Sequence, residues 1–460
     1  MREATIAGLL RDGCDLLIRD VTVVDPGPPG SGRDALHILP RHDVAVRGRH
    51  IAGVLPTGAI PPAAARQVVD PPAGSALLPG LVNAHAHMAM VLFRGAAEDV
   101  PVESWFNEYI WPMESALTPD DVAWGARLAA IELLEGGVTT VADHYFAMDR
   151  IAEVVAESGL RAHLAWTMFG RDPVGELRQS EEFAQRWQGG AAGRITVWLG
   201  PHAPYTCPPP FLRQVAGAAR RLGLGCHTHV AETASQVAWS LREHGMSPVR
   251  LLEAVGLMEG PLLCAHAVHV TDEEIRLLAR RGAAVAHCPK TFLKLAAGIA
   301  PVVRMRCAGV TVALGTDGAA SNNTLDLLEQ MRLAALLQKH QGEDATALPV
   351  AEALALATCE GARALGQEGV LGQVAPGFLA DLVVIRLDGA HVRPVHSVPA
   401  ALVYAARASD VHAVVVDGRV VVEGGRIRTL DREVVLREVE ARAQRLARRE
   451  GRRPHQTYQA

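Results

Sequence analysis

Paired cysteines are missing from this sequence. Its seven cysteines are an odd number, stand singly and form no C-x-x-C pair. That excludes a disulfide framework and a zinc-ribbon site, and leaves most of them as small buried hydrophobes. No uninterrupted apolar run is long enough to span a membrane. The opening Met1-Arg2-Glu3-Ala4 lacks the basic-then-apolar pattern of a signal peptide. A soluble, cytoplasmic protein is the expectation. No Lys/Arg cluster lies on an aromatic-rich stretch, and the net charge of −5 does not suit a nucleic-acid surface. The most basic segment, around Arg445, Arg448, Arg449, Arg452 and Arg453, reads as a solvated helical face running into a frayed tail.

Length and apolar content are plentiful. With 460 residues, 49% of them hydrophobic and 21% charged, the chain suits a large barrel plus a smaller module. Residues 1–75 read as short strands punctuated by Gly and Pro: Asp15–Ile18, Val21–Val24, Asp43–Val46 and His50–Val54. The stretch from Pro26 to Arg33 reads as a mobile loop. Similar strands return over 373–430, at Asp381–Ile385 and at Val411–Val416 with Arg419–Val422, the last two joined by the turn signal Asp417-Gly418. The expectation is one small β-sandwich built from both ends, with 431–460 a C-terminal helix and tail.

Between them, over 76–372, apolar strands alternate with amphipathic helices. Eight strands are predicted: Ala76–Val82, Thr139–Tyr145, Ala162–Met168, Ile195–Leu199, Leu224–His229, Pro261–Ala267, Ala283–His287 and Val310–Leu314. Helices are predicted over Asp120–Glu135, Met148–Ser158, Phe211–Arg221 and Asp272–Arg281. Eight such units indicate an α/β fold, a TIM-like (β/α)8 barrel. The competing doubly wound sheet is disfavoured, because no G-x-G-x-x-G follows the first strand.

Barrel enzymes carry their chemistry at the C-terminal strand ends. Here the first strand ends in His85-Ala86-His87, whose alternate residues point to one face and can reach one ion. The fourth ends at His202, the fifth in His227-Thr228-His229 with Glu232 following, the sixth at His266, the seventh at His287 and the eighth at Asp317. Singly, an H-x-H pair, His202 or the Asp317 turn would as readily be structural. Together they point to a metal centre.

The string from Pro79 to His87 (PGLVNAHAH) resembles the opening of an amidohydrolase-superfamily barrel, and Pro376–Val384 (PGFLADLVV) resembles the return of such chains to their β-sandwich. More narrowly, Trp111–Glu114, Gly200–Cys207, His229–Thr233 and Gly315–Asn323 with Glu329–Arg332 resemble the 5′-methylthioadenosine/S-adenosylhomocysteine deaminases, relatives of the s-triazine chlorohydrolases. The resemblance implies one divalent ion, zinc first and iron(II) as the alternative, held by His85, His87, His229 and Asp317, which would acidify a ligand water. It implies that His266 and Asp317 take and orient the water proton, and that Glu232 carries a proton to the ring nitrogen and then to the leaving amine. Trp105, Glu114, Arg171, His202 and Ser321 would line the substrate site: Glu114 on ribose hydroxyls, His202 on a purine nitrogen, Arg171 on an amino-acid carboxylate. A core aromatic and a surface arginine are equally natural readings of Trp105 and Arg171, and a helix N-terminal acid is the alternative for Glu232.

The implied reaction is hydrolytic deamination of an adenine nucleoside: S-adenosylhomocysteine, methylthioadenosine, 5′-deoxyadenosine or adenosine. The implied partners are a small-molecule substrate and further copies of the chain, as a dimer or tetramer. A free purine or pterin base, or an s-triazine, is the alternative substrate, and a non-catalytic barrel relative is the remote one. Four positions depart from the resemblance. Glu176 stands where a second arginine is expected, with Arg178 as a possible substitute. Lys290 and Phe292 follow His287, and His144 ends the second strand.

Overall fold

The computed structural model describes residues 2–32, 36–448 and 458. Arg33 of the expected mobile loop, and Arg449, Arg452 and Arg453 of the basic segment, lie outside the described residues.

Strands from the two ends of the chain join one nine-stranded sheet. The early ones are β1 (Cys14–Asp25), β2 (His37–Arg47), β3 (His50–Pro56), β4 (Ala65–Val69) and β5 (Ala76–Pro79). The two strands expected over 15–24 are one strand with a bulge. Its register shifts between Ile18 and Val21, where Asp20 takes a positive φ of 46°. A second nine-stranded sheet, wholly parallel, runs in sequence order through β6 (Leu81–His87), β7 (Val138–Tyr145), β8 (Arg161–Met168), β9 (Ile195–Pro201), β10 (Cys226–Val230), β11 (Leu262–His266), β12 (Ala284–His287) and β13 (Thr311–Leu314), and adds β14 (Asp317–Gly318). The chain then returns to the first sheet with β15 (Leu382–Ile385), β16 (Val411–Val416), β17 (Arg419–Glu423) and β18 (Arg426–Ile427).

The parallel sheet curls back on itself. β13 pairs with β12, and two residues later β14 pairs with β6. Asn83 helps to fasten that seam: its side chain accepts from the Thr316 amide at 3.0 Å and donates to the Thr316 hydroxyl at 2.7 Å. The strand expected over Ala76–Val82 is divided. Ala76–Pro79 pairs with β15 in the first sheet, and Leu81 starts the parallel sheet against Val138. Gly80 is the hinge: a Cβ there would lie 2.1 Å from the Thr139 hydroxyl, so only glycine lets the chain pass. One continuous apolar run hides this division from the hydropathy pattern.

Helices cover the outside of the parallel sheet with defined starts. Thr118 and Asp121 form a capping box at Pro119–Glu135, and Thr271 and Glu274 form another at Asp272–Arg281. Near the end of the chain, the helix Arg432–Leu446 lies against Pro119–Glu135, with Arg442 over Trp124 at 5.2 Å and Arg445 on Asp121 at 2.5 Å. Arg161 at the start of β8 makes a buried two-point pair with Asp381 at 2.8 and 3.0 Å and also reaches Asp417 at 3.1 Å. That network ties the parallel sheet to the first sheet. Among the described residues, no helix is long and apolar enough to cross a membrane.

Candidate active site

The C-terminal ends of the parallel strands converge on one cavity of about 690 Å³, its open mouth included. Four expected donors meet at its floor. The Asp317 Oδ1 atom lies 3.2 Å from His87 Nε2 and 3.6 Å from His85 Nε2, and His87 Nε2 lies 3.3 Å from His229 Nε2. Each imidazole is aimed by its other nitrogen: His85 Nδ1 at His227 Nε2 (2.9 Å), His87 Nδ1 at the His144 carbonyl (2.6 Å) and His229 Nδ1 at the His202 carbonyl (2.7 Å). Such outer hydrogen bonds fix tautomer and direction in metal sites.

The donor set suits a divalent cation. His85 Nε2 is buried with no hydrogen-bond partner. Burial disfavours a charged His87, yet the hydrogen bond and charge of Asp317 outweigh it and lift its pKa to about 9, whereas burial lowers His85 and His229 and favours their neutral, metal-binding form. Asp317 itself is held well below the usual carboxylate range: burial opposes this, but the neighbouring His85 and His87 imidazoles prevail. Three overlapping triplets of donors lie within 4.8 Å, and they bring in His266 and His144 besides the four expected residues. His266 and Asp317 adopt positive φ values of 82° and 62°, backbone strain of the kind that collects at functional sites.

Glu232 and His266 border the same floor. Glu232 is buried, its Oε1 has no partner, and burial together with the charge of Asp317 raises its pKa to about 8. Burial thus favours its neutral form, which can donate a proton. The second Asp317 oxygen, Oδ2, accepts from Ser321 at 2.8 Å and Thr291 at 3.0 Å. Thr291 had no signal in the sequence beyond its place after His287. Ser321 lines the cavity, but its hydroxyl is engaged by Asp317 rather than pointing only at a ligand.

Higher in the cavity lie Trp105, Glu114 and His202. Trp105 sits in a π-helical turn, Trp105–Ile110, a feature common at functional sites. Its indole nitrogen is buried without a partner. Burial raises Glu114 to about 7, against the hydrogen bond that Tyr145 donates at 2.7 Å. His202 faces Phe169 at 4.8 Å, and its Nδ1 lies 2.8 Å from the Thr206 hydroxyl.

Arg171 is not among the residues lining the cavity. It is exposed, with its guanidinium over Phe169 at 5.3 Å. Glu176 turns out to organise this loop. Its carboxylate accepts the amides of Phe169, Gly170, Arg171 and Asp172 at 2.6–3.2 Å. Arg178 is no substitute clamp, since it lies exposed beside Glu182 at 3.9 Å. Lys290 points away from the cavity to Glu329 at 2.8 Å, whereas Phe292 lines it and meets His266 edge-on. His144 also lines it, with Nδ1 on the Thr167 hydroxyl at 3.0 Å.

Comparison with known proteins places this geometry in context. The model of the amidohydrolase family matches residues 76–421. The chain is 48% identical to a 5-methylthioadenosine/S-adenosylhomocysteine deaminase of Desulforudis audaxviator, over 94% of this chain and 99% of the relative. It is 43% identical to the protein of the same name from Moorella thermoacetica, over 93% and 98%. A crystal structure described as an adenosine deaminase from Xanthomonas campestris with bound zinc superposes with a TM-score of 0.89 at 36% identity, covering 94% of this chain and 98% of the other. An atrazine chlorohydrolase from Arthrobacter aurescens complexed with zinc superposes with a TM-score of 0.84 at 28% identity, covering 93% and 100%. The histidine-ended parallel strands, the converging donors and the match over most of its length agree: this chain belongs to the amidohydrolase family.

Proposed function

We propose that the chain hydrolyses the exocyclic amine of an adenine nucleoside, giving the inosine analogue and ammonia. The candidate substrates are S-adenosylhomocysteine, methylthioadenosine, 5′-deoxyadenosine and adenosine. One observation carries the reading: a neutral buried acid, Glu232, shares a cavity with the His/Asp donor cluster and with a second buried carboxyl, Glu114. His85, His87, His229 and Asp317 would hold a divalent ion, zinc by preference over iron(II). When bound, such an ion supplies Lewis acidity at the reacting water.

The chain's own groups handle the protons. Asp317 and His266 accept the proton of the attacking water. Glu232 gives its proton to the ring nitrogen beside the attacked carbon, so that the ring does not carry the developing charge. The hydroxyl now on the carbon gives its remaining proton to the ionised Glu232, which passes it to the amine. The C–N bond breaks, ammonia leaves, and the proton held by Asp317 and His266 restores the Glu232 acid. Glu114, once ionised, accepts from the ribose hydroxyls; His202 meets a purine nitrogen; Trp105 and Ser321 bound the ligand; and Arg171, outside the cavity lining beside Phe169, would pair with an amino-acid carboxylate on the substrate. An ammonia-release screen over these nucleosides with the zinc-loaded chain tests the reading, and silence across all of them refutes it.

The likeness to an atrazine chlorohydrolase supports one second reading, in which the substrate is a free purine or pterin base or an s-triazine. Glu114→Gln separates the two, because only a nucleoside offers ribose hydroxyls. A non-catalytic role is disfavoured by the full donor set. Finer features of the architecture belong here as well. Residues of β1, β2, β15 and β16 share one apolar cluster, which supports a β-sandwich made from both ends around a (β/α)8 barrel, with the changeover at Gly80 and the helix from 431 onward as an appendage. A dimer or tetramer is the assembly we infer.

A further inference from the structure

Near the far end of the sequence, Tyr458 is buried at 3% exposure against the cavity wall. Its ring stacks on Phe106 at 4.9 Å with 9° between the planes, and meets Tyr205 edge-on at 5.6 Å. Its hydroxyl lies 3.1 Å from the Thr233 hydroxyl and 3.4 Å from that of Ser235. Its backbone is gripped twice by one side chain: the amide donates to Asn107 Oδ1 at 2.7 Å, and the carbonyl accepts from Asn107 Nδ2 at 3.1 Å. Phe106, Tyr205 and Thr233 all line the cavity. These contacts reach three separate loops above the parallel sheet. One is the π-helical turn that carries Trp105, and another follows the proton-transfer residue Glu232. The link to Glu232 is short, since Thr233 caps the helix Ala234–His244 and Gln236 in its first turn accepts the Glu232 amide at 3.1 Å.

We propose that Tyr458 is a positioning residue: a clasp that holds the Trp105–Ile110 turn against the Thr233 loop and thereby sets the fit of the substrate. It touches neither the metal donors nor the reacting atoms, so its effect falls on binding. A hydroxyl at one end, a flat ring in the middle and a doubly bonded backbone at the other make one residue a bridge between walls that the parallel sheet itself does not connect. Asn107 is the other half of the clasp, because it bonds backbone rather than side chain and so keeps its grip when the side chain is changed.

The kinetic arm rests on the deaminase reading; the exchange arm does not. In the zinc-loaded full chain, Tyr458→Ala is expected to raise KM for a nucleoside about tenfold and to change kcat less than about threefold. Tyr458→Phe keeps the stack and the Asn107 grip but loses the hydroxyl link to Thr233, and is expected to raise KM by an intermediate amount, about threefold, with kcat nearly unchanged. Asn107→Ala should raise KM as Tyr458→Ala does, and the double variant should be no worse than either single one, since one bridge is broken only once. Hydrogen exchange of 105–110 and 232–236 should quicken together in Tyr458→Ala. A KM within about twofold of the unaltered chain, or independent multiplication of the two single effects, overturns the proposal. So does unchanged exchange in either segment, whether or not any nucleoside is turned over.

Discussion

Replacing Glu232 by Gln separates its chemistry from its cost to the fold. Burial, with the charge of Asp317 added, raises this carboxyl from 4.5 to about 8. In the unfolded chain it would ionise in the ordinary range. The gap of roughly 3.5 on the pH scale corresponds to about 5 kcal/mol in favour of the neutral acid inside the fold. For a raised acid, the stability it contributes is complete below about 4.5 and is lost as the pH rises through about 8. At pH 7 the folded group is mostly protonated and the unfolded one ionised, a difference that costs the fold about 3 kcal/mol. Gln has the same shape and does not titrate, so it removes that cost and adds only an amide to be desolvated. No side-chain hydrogen bond is sacrificed at Oε1, which has no partner. We expect Glu232→Gln to lower kcat of the zinc-loaded chain by about 10² to 10⁴-fold, the span of general acid–base catalysis. Thermal unfolding of the metal-free chain should give a Tm at pH 8 no lower than that of the unaltered protein, with the gain shrinking toward pH 5. Ammonia release and differential scanning calorimetry measure the two. A kcat within about fivefold of the original, or a Tm at pH 8 lower by several degrees, would refute the assignment of a neutral catalytic acid.

Glu114→Gln should raise KM for nucleosides by about tenfold and leave a free base unaffected, because it replaces an acceptor of two hydroxyls by a half-donor. Glu114 is raised to about 7, so its ionised, ribose-binding form appears as the pH climbs; nucleoside affinity should improve between pH 6 and 8 and lose that dependence in Glu114→Gln, as initial rates across pH will tell. Removal of metal with a chelator should abolish ammonia release, and one equivalent of zinc per chain should restore it, with metal content read by atomic spectrometry. Arg161→Ala leaves Asp381 buried and unpaired, and should lower unfolding free energy in denaturant titrations by about 3 to 5 kcal/mol.

Strand periodicity and the residues that end each strand were legible because both are local. His85 and His87 share a face by the two-residue repeat of a strand, His229 and His266 lie at the ends of later strands that the same arithmetic finds, and Asp317 opens β14 just beyond the eighth. The helix starts expected at Asp120 and Asp272 lie within one residue of those found, and the capping boxes at Thr118 and Thr271 account for them. What escaped was set by contacts between distant loops. Glu176 is the exception, since the four amides that close on it belong to the turn just before its own helix. Nothing local to Lys290 shows that its charge is spent outside the cavity, because its partner, Glu329, is far away in sequence. The same holds for Tyr145 on Glu114 and Thr291 on Asp317. Gly80 was hidden for a different reason: strands of two sheets run through it without a polar residue to mark the change.

The pairing of β5 with β15 joins residues about 300 positions apart, Leu77 with Val384 and Pro79 with Leu382. During synthesis this has a consequence. β1 to β4 can pair as soon as they emerge, but the edge offered by β5 must wait until everything through Ile385 has left the ribosome. The parallel sheet, complete at Gly318, is ready first. The newborn chain therefore passes through a stage with a nearly finished enzyme body and an open strand edge beside it, exposed to neighbours on the same message. Slowing translation after Gly318 would lengthen that stage, and supplying residues 373–430 as a separate polypeptide would shorten it.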